Sequence, residues 1–506
     1  MDYDVLVVGG GPTGMMLAAE LRLAGVRPLV VERLARPYPF SKALGIHARS
    51  IELLELRGIH DRFLEGAPLL SGGHFASLPV GLNYKSLETR HPYGLYQKQV
   101  DTERLLTARA EELGTEIRRG HELTALAQDE DGVTATITGP DGEYRVRTGY
   151  VVGCDGGRSR TRKLAGIPFP GQEPGLAVLM ADCEFSGELP EGEGMGPLRP
   201  YGVIRRDLRA WFSAVPLFEP GVYRAMVFRY NHVWPERDAP VTEEEMRAAI
   251  TELVGHDCGL TGIQWLTRLT DVSRQAERYR EGRVLLAGDA AHVHFPSGGP
   301  GLNMGLQDAM NLGWKLAAVV NGWGDGALLD SYHTERHPVG RTVLRNTRTQ
   351  CALFDPDPRL DAVRETFTDL LRIDQVNRYF TGLGSALDVR YDLPGEHPLT
   401  GARMPDLDVR TQDGIRRLSE YFHDGLGVLT GASAEKWKDR VAVVEGEVEG
   451  PAMLVRPDGY VCWAGDPAED GAGLDAALRT WFAVWGAARQ RRGTSTSGWW
   501  RATRSG

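Results

Sequence analysis

The segment spanning residues 3–32 constrains the fold more than any other part of the chain. An apolar run at residues 4–8 predicts a buried strand, a helical pattern follows at 15–24, and a second apolar run at 28–31 predicts another strand. A strand, a helix and a second strand within so few residues are typical of a βαβ unit, whose two strands lie parallel. We therefore expect an α/β fold with a Rossmann-like domain at the N-terminus.

The turn of this βαβ unit carries the spacing G-x-G-x-x-G, at Gly9, Gly11 and Gly14. In a dinucleotide site these glycines permit a tight turn, a close approach of the pyrophosphate to backbone, and close contact between helix and strand. Glu32 ends the second strand, where a carboxylate can accept hydrogen bonds from ribose hydroxyls. An acid at this position fits NAD or FAD better than NADP.

Residues 283–317 form a second stretch in which a strand ends at an acidic residue and a helix follows. An apolar run at 284–287 predicts a short buried strand that stops at Asp289, and a Gly- and Pro-rich loop leads to a helical pattern beginning near residues 301–303. The carboxylate can accept hydrogen bonds from hydroxyls, and the free N–H groups of a helix start face an electron-rich oxygen. An ordinary βα turn explains the pattern equally well when it is taken alone.

Composition excludes several classes of protein. The net charge of −10 argues against nucleic-acid binding, which needs a basic face. Five dispersed cysteines without a CxxC pair argue against a disulfide framework or a metal site. Asp2 and Asp4 leave no basic region for a signal peptide, and no apolar run reaches the roughly 20 residues of a membrane helix. We expect a cytoplasmic protein that binds no membrane.

The pattern of elements predicts three domains and a tail. Residues 175–271 are rich in strands and aromatic side chains, and a Pro/Gly cluster at 394–398 marks a boundary. Helices over 327–343 are expected to be interrupted at Pro338. The predicted domains are 1–174 with 272–394, 175–271, and 395–486, followed by a disordered tail at 487–506.

Aromatic residues of the β-rich segment are candidates for a substrate platform. They are Trp211, Phe212, Tyr223 and Phe228, together with Phe295 from the loop that follows Asp289. For any one of them, packing within a sheet is the commoner explanation. Their number within one segment is what favours an aromatic-lined pocket.

Three features in this order, the N-terminal glycines with Glu32, Asp155-Gly156 after a strand, and Gly288-Asp289 before a helix start, resemble the class A flavoprotein monooxygenases of the para-hydroxybenzoate hydroxylase fold. The likeness spans nearly all of residues 1–485. The run SKALGIHARSIELLELRG resembles the bacterial hydroxylases of aromatic polyketides. The runs FASLPVGLNY, TRHPYGLY and GMGPLRPYGV are most similar to the anhydrotetracycline-type oxygenases, and the rifampicin monooxygenases are also similar.

The resemblance implies bound FAD, NADPH as reductant and O₂ as cosubstrate. It implies hydroxylation of a polycyclic aromatic polyketide of tetracycline, anthracycline or angucycline type through a C4a-hydroperoxyflavin, in antibiotic biosynthesis, by a monomer or homodimer. The C-terminal domain would be thioredoxin-like, although its lone Cys462 leaves no dithiol chemistry. The implied cofactor contacts are Gly9, Gly11, Pro12, Thr13, Gly14, Glu32, Arg33, Arg49, Gln99, Asp155, Gly156, Asp289, Pro296, Gly301, Leu302 and Asn303.

One departure from the family lies within the loop GGPGLN, where Pro300 replaces the glutamine of related sequences. Proline lacks an N–H and fixes φ, so one contact to the flavin would be absent. No catalytic base is predicted, because a phenol can activate itself by ionising. His47, His292 and His294 are candidates, but structural hydrogen bonding is the commoner role for such residues.

Other functions remain open at this point. Baeyer–Villiger oxygenation of a similar polyketide needs the same cofactor and the same scaffold. Hydroxylation that inactivates an antibiotic is a second alternative. A flavin-binding protein without turnover is the non-enzyme alternative, and Pro300 is the feature that suggests it.

Overall fold

A computed structural model describes residues 1–190, 203–206, 210–230 and 239–482, with the backbone alone described at 203–206. The predicted tail at 487–506 lies outside the described residues.

The helices and strands of the described residues are numbered in chain order. The helices are α1 (Pro12–Leu23), α2 (Ala48–Glu55), α3 (His60–Leu64), α4 (Gln99–Glu112), α5 (Arg160–Leu164), α6 (Glu243–Val254), α7 (Pro300–Val320), α8 (Gly326–Phe354), α9 (Asp361–Leu371), α10 (Asp374–Ser385) and α11 (Gly471–Phe482). The strands of the first half are β1 (Tyr3–Val8), β2 (Pro28–Glu32), β3 (Gly45–Ile46), β4 (Leu69–Leu70), β5 (Gly72–Gly73), β6 (Leu82–Asn83), β7 (Gly94–Tyr96), β8 (Glu116–Arg119), β9 (Glu122–Gln128), β10 (Val133–Gly139), β11 (Gly142–Gly153), β12 (Gly171–Gln172) and β13 (Leu176–Phe185). Those of the second half are β14 (Val203–Arg206), β15 (Ala210–Pro216), β16 (Val222–Tyr230), β17 (Leu260–Thr270), β18 (Ser273–Gln275), β19 (Arg280–Glu281), β20 (Val284–Leu286), β21 (His292–Val293), β22 (Asp408–Thr411), β23 (Gly414–Arg417), β24 (Gly427–Leu429), β25 (Val441–Val443), β26 (Glu447–Val448), β27 (Ala452–Val455) and β28 (Val461–Gly465).

The largest sheet is built around β1, and it confirms the predicted βαβ unit. Its strand order is β19-β20-β11-β1-β2-β8, in which β20, β11, β1, β2 and β8 run parallel to one another and β19 is antiparallel to β20. Strands β9 and β10 extend it as an antiparallel ribbon from β11. Parallel strands place their carboxyl ends at one edge, so the turns after β1, β11 and β20 lie side by side there.

The strand-rich segment forms an antiparallel sheet in the order β14-β15-β16-β13-β17. Its two faces pack differently because successive side chains alternate. Helix α6 covers one face through Met246, Ala249 and Ile250. The other face packs against the chain around Phe295 and against the C-terminal part of α8.

Helix α8 runs unbroken through residues 326–354, so the predicted interruption at Pro338 is wrong. The proline lies on the exposed side of the helix, and Thr334, whose carbonyl loses its hydrogen bond to residue 338, is also exposed. Water can satisfy that carbonyl, so the helix continues. Within the ranges that the structure describes, no helix has both the length and the apolar character that spanning a bilayer requires.

The C-terminal segment from residue 397 packs directly on the nucleotide-binding half of the chain. Its buried side chains, among them Phe422 and Val455, belong to the same continuous core as Leu21 and Leu54. Its sheet has the order β25-β24-β27-β28, with β24 parallel to β25 and antiparallel to β27.

Candidate functional site

The turn after β1 forms a cradle in which each of three glycines has a different neighbour. Gly9 has φ of 111°, and a Cβ there would lie 2.3 Å from the carbonyl oxygen of Cys154. A Cβ on Gly14 would lie 2.0 Å from the carbonyl oxygen of Gly9. A Cβ on Gly11 would meet nothing within 4 Å. Gly9 and Gly14 are therefore required for the fold, because a side chain would clash with the backbone there. Gly11 borders open space at the start of α1.

Helix α1 begins at that open space without a side chain to cap it. Gly11 is the residue before the helix, no side chain accepts a hydrogen bond from the first turn, and Pro12 occupies the first helical position. Uncapped N–H groups and the positive end of the helix dipole favour an anion. The cradle can therefore hold a pyrophosphate.

Glu32 lies beside this cradle at the end of β2. Its carboxylate accepts hydrogen bonds from the backbone N–H of Gly10 at 2.8 Å and of Leu34 at 2.8 Å. Gln99, at the start of α4, donates to Glu103 at 2.8 Å. Arg33 is exposed next to Glu32. Glu32 is therefore held against the turn that follows β1.

Helix α7 reaches the same edge of the sheet and contacts α1 closely. A Cβ on Gly305 would lie 2.1 Å from Oγ1 of Thr13, so the two helices meet where a side chain cannot fit. This contact brings the beginning of α7 next to the beginning of α1. Two helix N-termini therefore face the same region.

Asp289 follows β20 and lies at the beginning of α7. Its side chain is exposed, and a carboxylate oxygen lies 3.7 Å from the Cβ position of Gly301. The Nε2 atom of His294 lies 3.8 Å from that same position and is buried without a hydrogen-bond partner. Burial lowers the pKa of His294, which favours the neutral imidazole. A carboxylate and an unpartnered imidazole nitrogen thus lie close to the first turn of α7.

Pro300 is the first residue of α7, so the helix begins one residue earlier than predicted. Gly299 precedes it with φ of 70°, and no side chain caps the first turn. The N–H of a residue at the first helical position has no partner within the helix, so proline there removes nothing the helix needs. The N–H groups of Gly301 and Leu302 remain to face a ligand.

Asn303 fixes this helix start to the chain before α2. Its Oδ1 accepts from the backbone N–H of His47 at 2.8 Å, and its Nδ2 donates to the carbonyl oxygens of Gly299 at 3.0 Å and Gly45 at 3.3 Å. The side chain of Asn303 is therefore used by the protein. These hydrogen bonds of the Asn303 side chain position the loop around residues 298–300.

Asp155 has a local structural role, and its predicted place in the cofactor site stays a prediction. Its carboxylate accepts hydrogen bonds from Ser159, from the backbone N–H of Arg160 at 2.8 Å and from that of Thr161 at 2.9 Å. These bonds organise the first turn of α5. Gly156, with open space around its Cβ position, still borders the cleft.

Arg49 is bound within the protein, and its predicted contact with the cofactor stays a prediction. The guanidinium is buried, and it donates to Glu52 at 2.9 Å and to the carbonyl oxygen of Asp458 at 3.0 Å. It lies over the ring of Tyr460 at 4.9 Å from the centroid. Arg49 therefore joins α2 to the C-terminal segment, a partner too distant in sequence to be anticipated.

Aromatic side chains form a cluster on the sheet face that α6 does not cover. Trp211 and Phe228 stack with centroids 3.6 Å apart, and Phe295 lies 6.1 Å from Phe228. Phe354 of α8 lies 5.5 Å from Trp211. We call this set, with Phe75, the aromatic chamber.

Two predicted platform residues lie on the opposite face of the same sheet. Phe212 is fully buried beneath α6, and Tyr223 packs beside it. Residues 211 and 212 are neighbours on one strand, so their side chains must point to opposite faces. Phe212 and Tyr223 are therefore excluded from the aromatic chamber.

The structure adds contacts to the chamber that the sequence did not indicate. Gln350 of α8 accepts hydrogen bonds from the backbone N–H of Ala76 at 3.0 Å and from Oγ of Ser297 at 2.6 Å. Ala76 and Ser77 have φ of 50° and 52°, a strained conformation for residues with a side chain. Gln350 thus ties the loop before α7 to a strained loop at the chamber.

His292 lies outside this region and is removed from the candidate bases. The ring is fully buried, and its Nε2 shares a hydrogen bond of 2.7 Å with Asp308, which also accepts from Arg336 at 2.7 Å. These residues connect α7 with α8. Among the described residues, no group of three or more His, Cys, Asp or Glu side chains is arranged to hold a metal ion.

We expect the folded protein to lose stability on acidification because of two histidines near the site, His47 and His74. Burial lowers the pKa of His47 and that of His74 to about 4. The unfolded chain binds protons at these residues below about pH 6.5 and the folded chain does not, so stability is complete above that pH and decreases toward pH 4. We expect the melting temperature to drop across this window. The His47→Gln/His74→Gln variant should show a smaller drop, and an equal drop would contradict the assignment.

Comparison with known proteins agrees with this geometry. The sequence matches the family described as FAD binding domain over residues 2–347, and that described as Aromatic-ring hydroxylase, C-terminal, over residues 397–484. It is 58% identical over 499 residues to the 12-dehydrotetracycline 5-monooxygenase/anhydrotetracycline 6-monooxygenase of Streptomyces rimosus subsp. rimosus, covering 95% of this chain and 99% of the relative. It is 46% identical over 488 residues to the rifampicin monooxygenase of Streptomyces venezuelae, covering 95% and 98%.

A solved structure shows the same architecture. The anhydrotetracycline hydroxylase of Streptomyces rimosus superimposes with a TM-score of 0.90 at 56% identity, covering 95% of this chain and 99% of that one. The similarity extends over the nucleotide cradle, the strand-rich segment and the C-terminal segment together. The chain belongs to the family of FAD-dependent aromatic monooxygenases.

Proposed function

We propose that the protein hydroxylates a polycyclic aromatic polyketide of the tetracycline, anthracycline or angucycline type, with FAD as cofactor and NADPH as reductant. The position of Phe295 is the observation that carries this proposal. It belongs to the aromatic chamber, and the next residue, Pro296, begins the loop that leads to the start of α7. One short segment therefore joins the buried aromatic cluster to the proposed flavin edge.

The cofactor would lie along the edge of the main sheet. Its pyrophosphate would occupy the space beside Gly11, and Glu32 would accept from the adenosine ribose. Asp289 would accept from the ribityl hydroxyls, since it is exposed and free to do so. The N–H groups of Gly301 and Leu302 would face the pyrimidine edge of the flavin.

FAD, once bound and reduced, supplies the electrons with which O₂ becomes able to oxygenate an aromatic ring. The protein contributes orientation and the exclusion of water. The beginning of α7 places positive dipole charge where negative charge would develop on the pyrimidine edge. His47 and His294 stay neutral at physiological pH because burial lowers the pKa of each. The stabilising positive charge at this edge would therefore come from the helix start and not from an imidazolium.

The aromatic chamber is suited to a flat, extended ring system. Aromatic side chains offer large apolar surfaces that pack against fused rings. The stacked pair Trp211 and Phe228 forms one wall, and Phe354 and Phe75 contribute from other elements. A phenolic substrate needs no protein base, because ionisation of its own hydroxyl makes the ring electron-rich.

The three-domain organisation predicted from sequence is part of this proposal. An FAD-binding domain would comprise 1–174 and 272–394, with a substrate domain at 175–271 and a C-terminal domain at 395–486. A thioredoxin-like C-terminal domain is supported by the order β25-β24-β27-β28, with one parallel and two antiparallel pairs. Cys462 is buried, and the S–H donates to the carbonyl oxygen of Leu454.

The decisive experiment measures NADPH oxidation by the FAD-loaded protein with a panel of tetracyclic and angucyclic phenols. We expect a substrate from this panel to stimulate coupled consumption of NADPH and O₂ and to gain one oxygen atom. NMR of the product separates ring hydroxylation from Baeyer–Villiger lactone formation. A protein that cannot be loaded with FAD, or that shows no stimulation by any phenol, would contradict the proposal.

Replacing Asp289 with alanine should weaken FAD binding without harming the fold. The carboxylate is exposed, and hydrogen bonds to a charged group contribute about 1.5–3 kcal/mol, so affinity should fall roughly 10- to 100-fold. Flavin fluorescence on dilution gives the affinity, and the melting temperature of the apoprotein gives stability. Asp141→Ala, an exposed turn residue in the same domain, serves as the control. Unchanged FAD affinity would remove Asp289 from the site.

A further inference from the structure

A second cavity lies apart from the cradle and the chamber. It has a volume of about 610 Å³ and opens between α8 and the short strands β12 and β18. Gln172 and Ser273 contribute from the strands, and Leu344 contributes an apolar contact from the helix. Most of the other side chains that line this groove are charged or polar.

Three arginines of α8 line the groove on one side of the helix. Arg341, Arg345 and Arg348 are spaced by four and three residues, which places them on one face over about 10 Å. All three are exposed. Glu277 is the one carboxylate among the lining residues that the structure describes.

These guanidiniums differ from most others in the protein because the structure gives them no carboxylate. Arg336, on the same helix, is held by Asp308, and Arg364 of α9 is held by Asp361. Among the described residues, no ion pair or side-chain hydrogen bond engages Arg341, Arg345 or Arg348. Although the chain carries a net charge of −10, three cations lie together on a concave surface. This arrangement attracts a multiply charged anion.

The groove borders a strand that leads to the proposed flavin site. Gln275, which lines the groove, lies on β18, and β18 pairs with β21 through the partners Gln275 and His292. His294 directly follows β21. A ligand in the groove therefore lies about one strand spacing, roughly 5 Å, from the segment that carries His294.

We propose that this groove binds the phosphate groups of the reduced nicotinamide dinucleotide, with its nicotinamide end directed toward the flavin. This inference rests on the proposed function, since it assigns a site to the reductant named there. A row of guanidiniums matches a ligand that carries a pyrophosphate and a 2′-phosphate on one ribose. His337, at the same groove, is uncharged at neutral pH because burial, with His333 and Arg341 nearby, lowers its pKa to about 4.

The first test is binding, which requires no turnover. The probe is 2′-phosphoadenosine 5′-diphosphoribose, titrated into the FAD-loaded protein by calorimetry. We expect the Arg341→Ala/Arg345→Ala variant to bind it roughly ten-fold or more weakly. The Arg145→Ala/Arg378→Ala variant removes the same charge from exposed arginines elsewhere and should bind as the wild type does. Equal binding by the two variants, or no binding to the wild type, would overturn the inference.

The second test is kinetic and separates this inference from the proposed function. The Arg341→Ala/Arg345→Ala variant should raise KM for NADPH at least roughly ten-fold, with FAD content unchanged. Failure of the wild type to oxidise NADPH would refute the proposed function, whereas normal oxidation by the variant would refute the groove alone. Inorganic pyrophosphate is the competing probe. If it binds as tightly as the nucleotide, the assignment to a dinucleotide is wrong.

Discussion

Replacing Glu335 with alanine is expected to lower the free energy of unfolding by about 3–5 kcal/mol. Glu335 lies on α8 and accepts from both terminal nitrogens of Arg456 at 2.8 and 2.7 Å, and Lys315 lies 2.9 Å away. All three side chains are almost fully buried. The variant would leave the two cations without this counter-charge, and only Asp458 would remain beside Arg456.

The pKa values of Glu335 and Lys315 also show that these buried charges depend on their partners. Burial alone would raise the pKa of Glu335, but Arg456 and Lys315 outweigh it and hold that pKa below its usual range. Burial lowers the pKa of Lys315 to about 8 even with Glu335 present. Without Glu335 the lysine is expected to lose its proton, which adds to the loss of stability.

Chemical denaturation of the apoprotein measures this effect. Asp475→Ala is the matched control, since it breaks an exposed pair with Arg479 of 2.7 Å and should change stability by less than about 1 kcal/mol. Because Arg456 belongs to the C-terminal segment and Glu335 to α8, loss of the pair should also release that segment to proteolysis first. A Glu335→Ala protein as stable as the control would show that the cluster contributes little.

Two glycines of the cradle should respond to alanine in opposite ways. Gly14→Ala would place a Cβ 2.0 Å from the carbonyl oxygen of Gly9, so the apoprotein itself should be destabilised. Gly11 has φ of −81° and open space at its Cβ position, so alanine there should leave the apoprotein stable or stabilise it by about 0.4–1 kcal/mol. The added methyl would instead occupy the space proposed for the pyrophosphate.

The expected result for Gly11→Ala is a folded protein whose FAD affinity is reduced roughly 10- to 100-fold, the effect of overpacking by about 1–3 kcal/mol. Melting temperatures of apoprotein and FAD-loaded protein separate the two effects, because only a bound ligand raises the second. Full FAD affinity in Gly11→Ala would place the pyrophosphate elsewhere.

Helix α7 connects the cofactor site to the C-terminal segment. Its first turn faces the proposed flavin edge, while Asn311 in its middle donates to Glu335 at 2.7 Å and to Asp458 at 3.0 Å. Displacement of the C-terminal segment would therefore remove hydrogen bonds from the helix that forms the flavin-facing turn. We therefore expect changes in that segment to affect cofactor binding through α7.

The polar residues of α7 were a signal that sequence inspection could have used. Asp308, Asn311 and Lys315 are spaced by three and four residues within an otherwise apolar helix, so they occupy one face. Buried polar groups at helical spacing predict charged partners from another element. The identity of those partners, Arg336 and Glu335 of α8 and Asp458 of the C-terminal segment, could not be read from the spacing.

The sequence by itself determined what depends on neighbours along the chain. The strand at residues 4–8, the glycine turn after it, the junction at Asp289 and the helix that follows were predictable because hydrophobic periodicity and turn chemistry are local. The family resemblance added FAD and an aromatic substrate, and the family is confirmed.

Only the tertiary structure decided how side chains are used once distant segments meet. Arg49 turned to Asp458, Asp155 closed its own helix start, and Phe212 faced α6, because each found its partner through packing or strand alternation. Pro300 proved compatible with α7 for a similar reason: the geometry of the helix start, set by Gly299, makes its missing N–H dispensable.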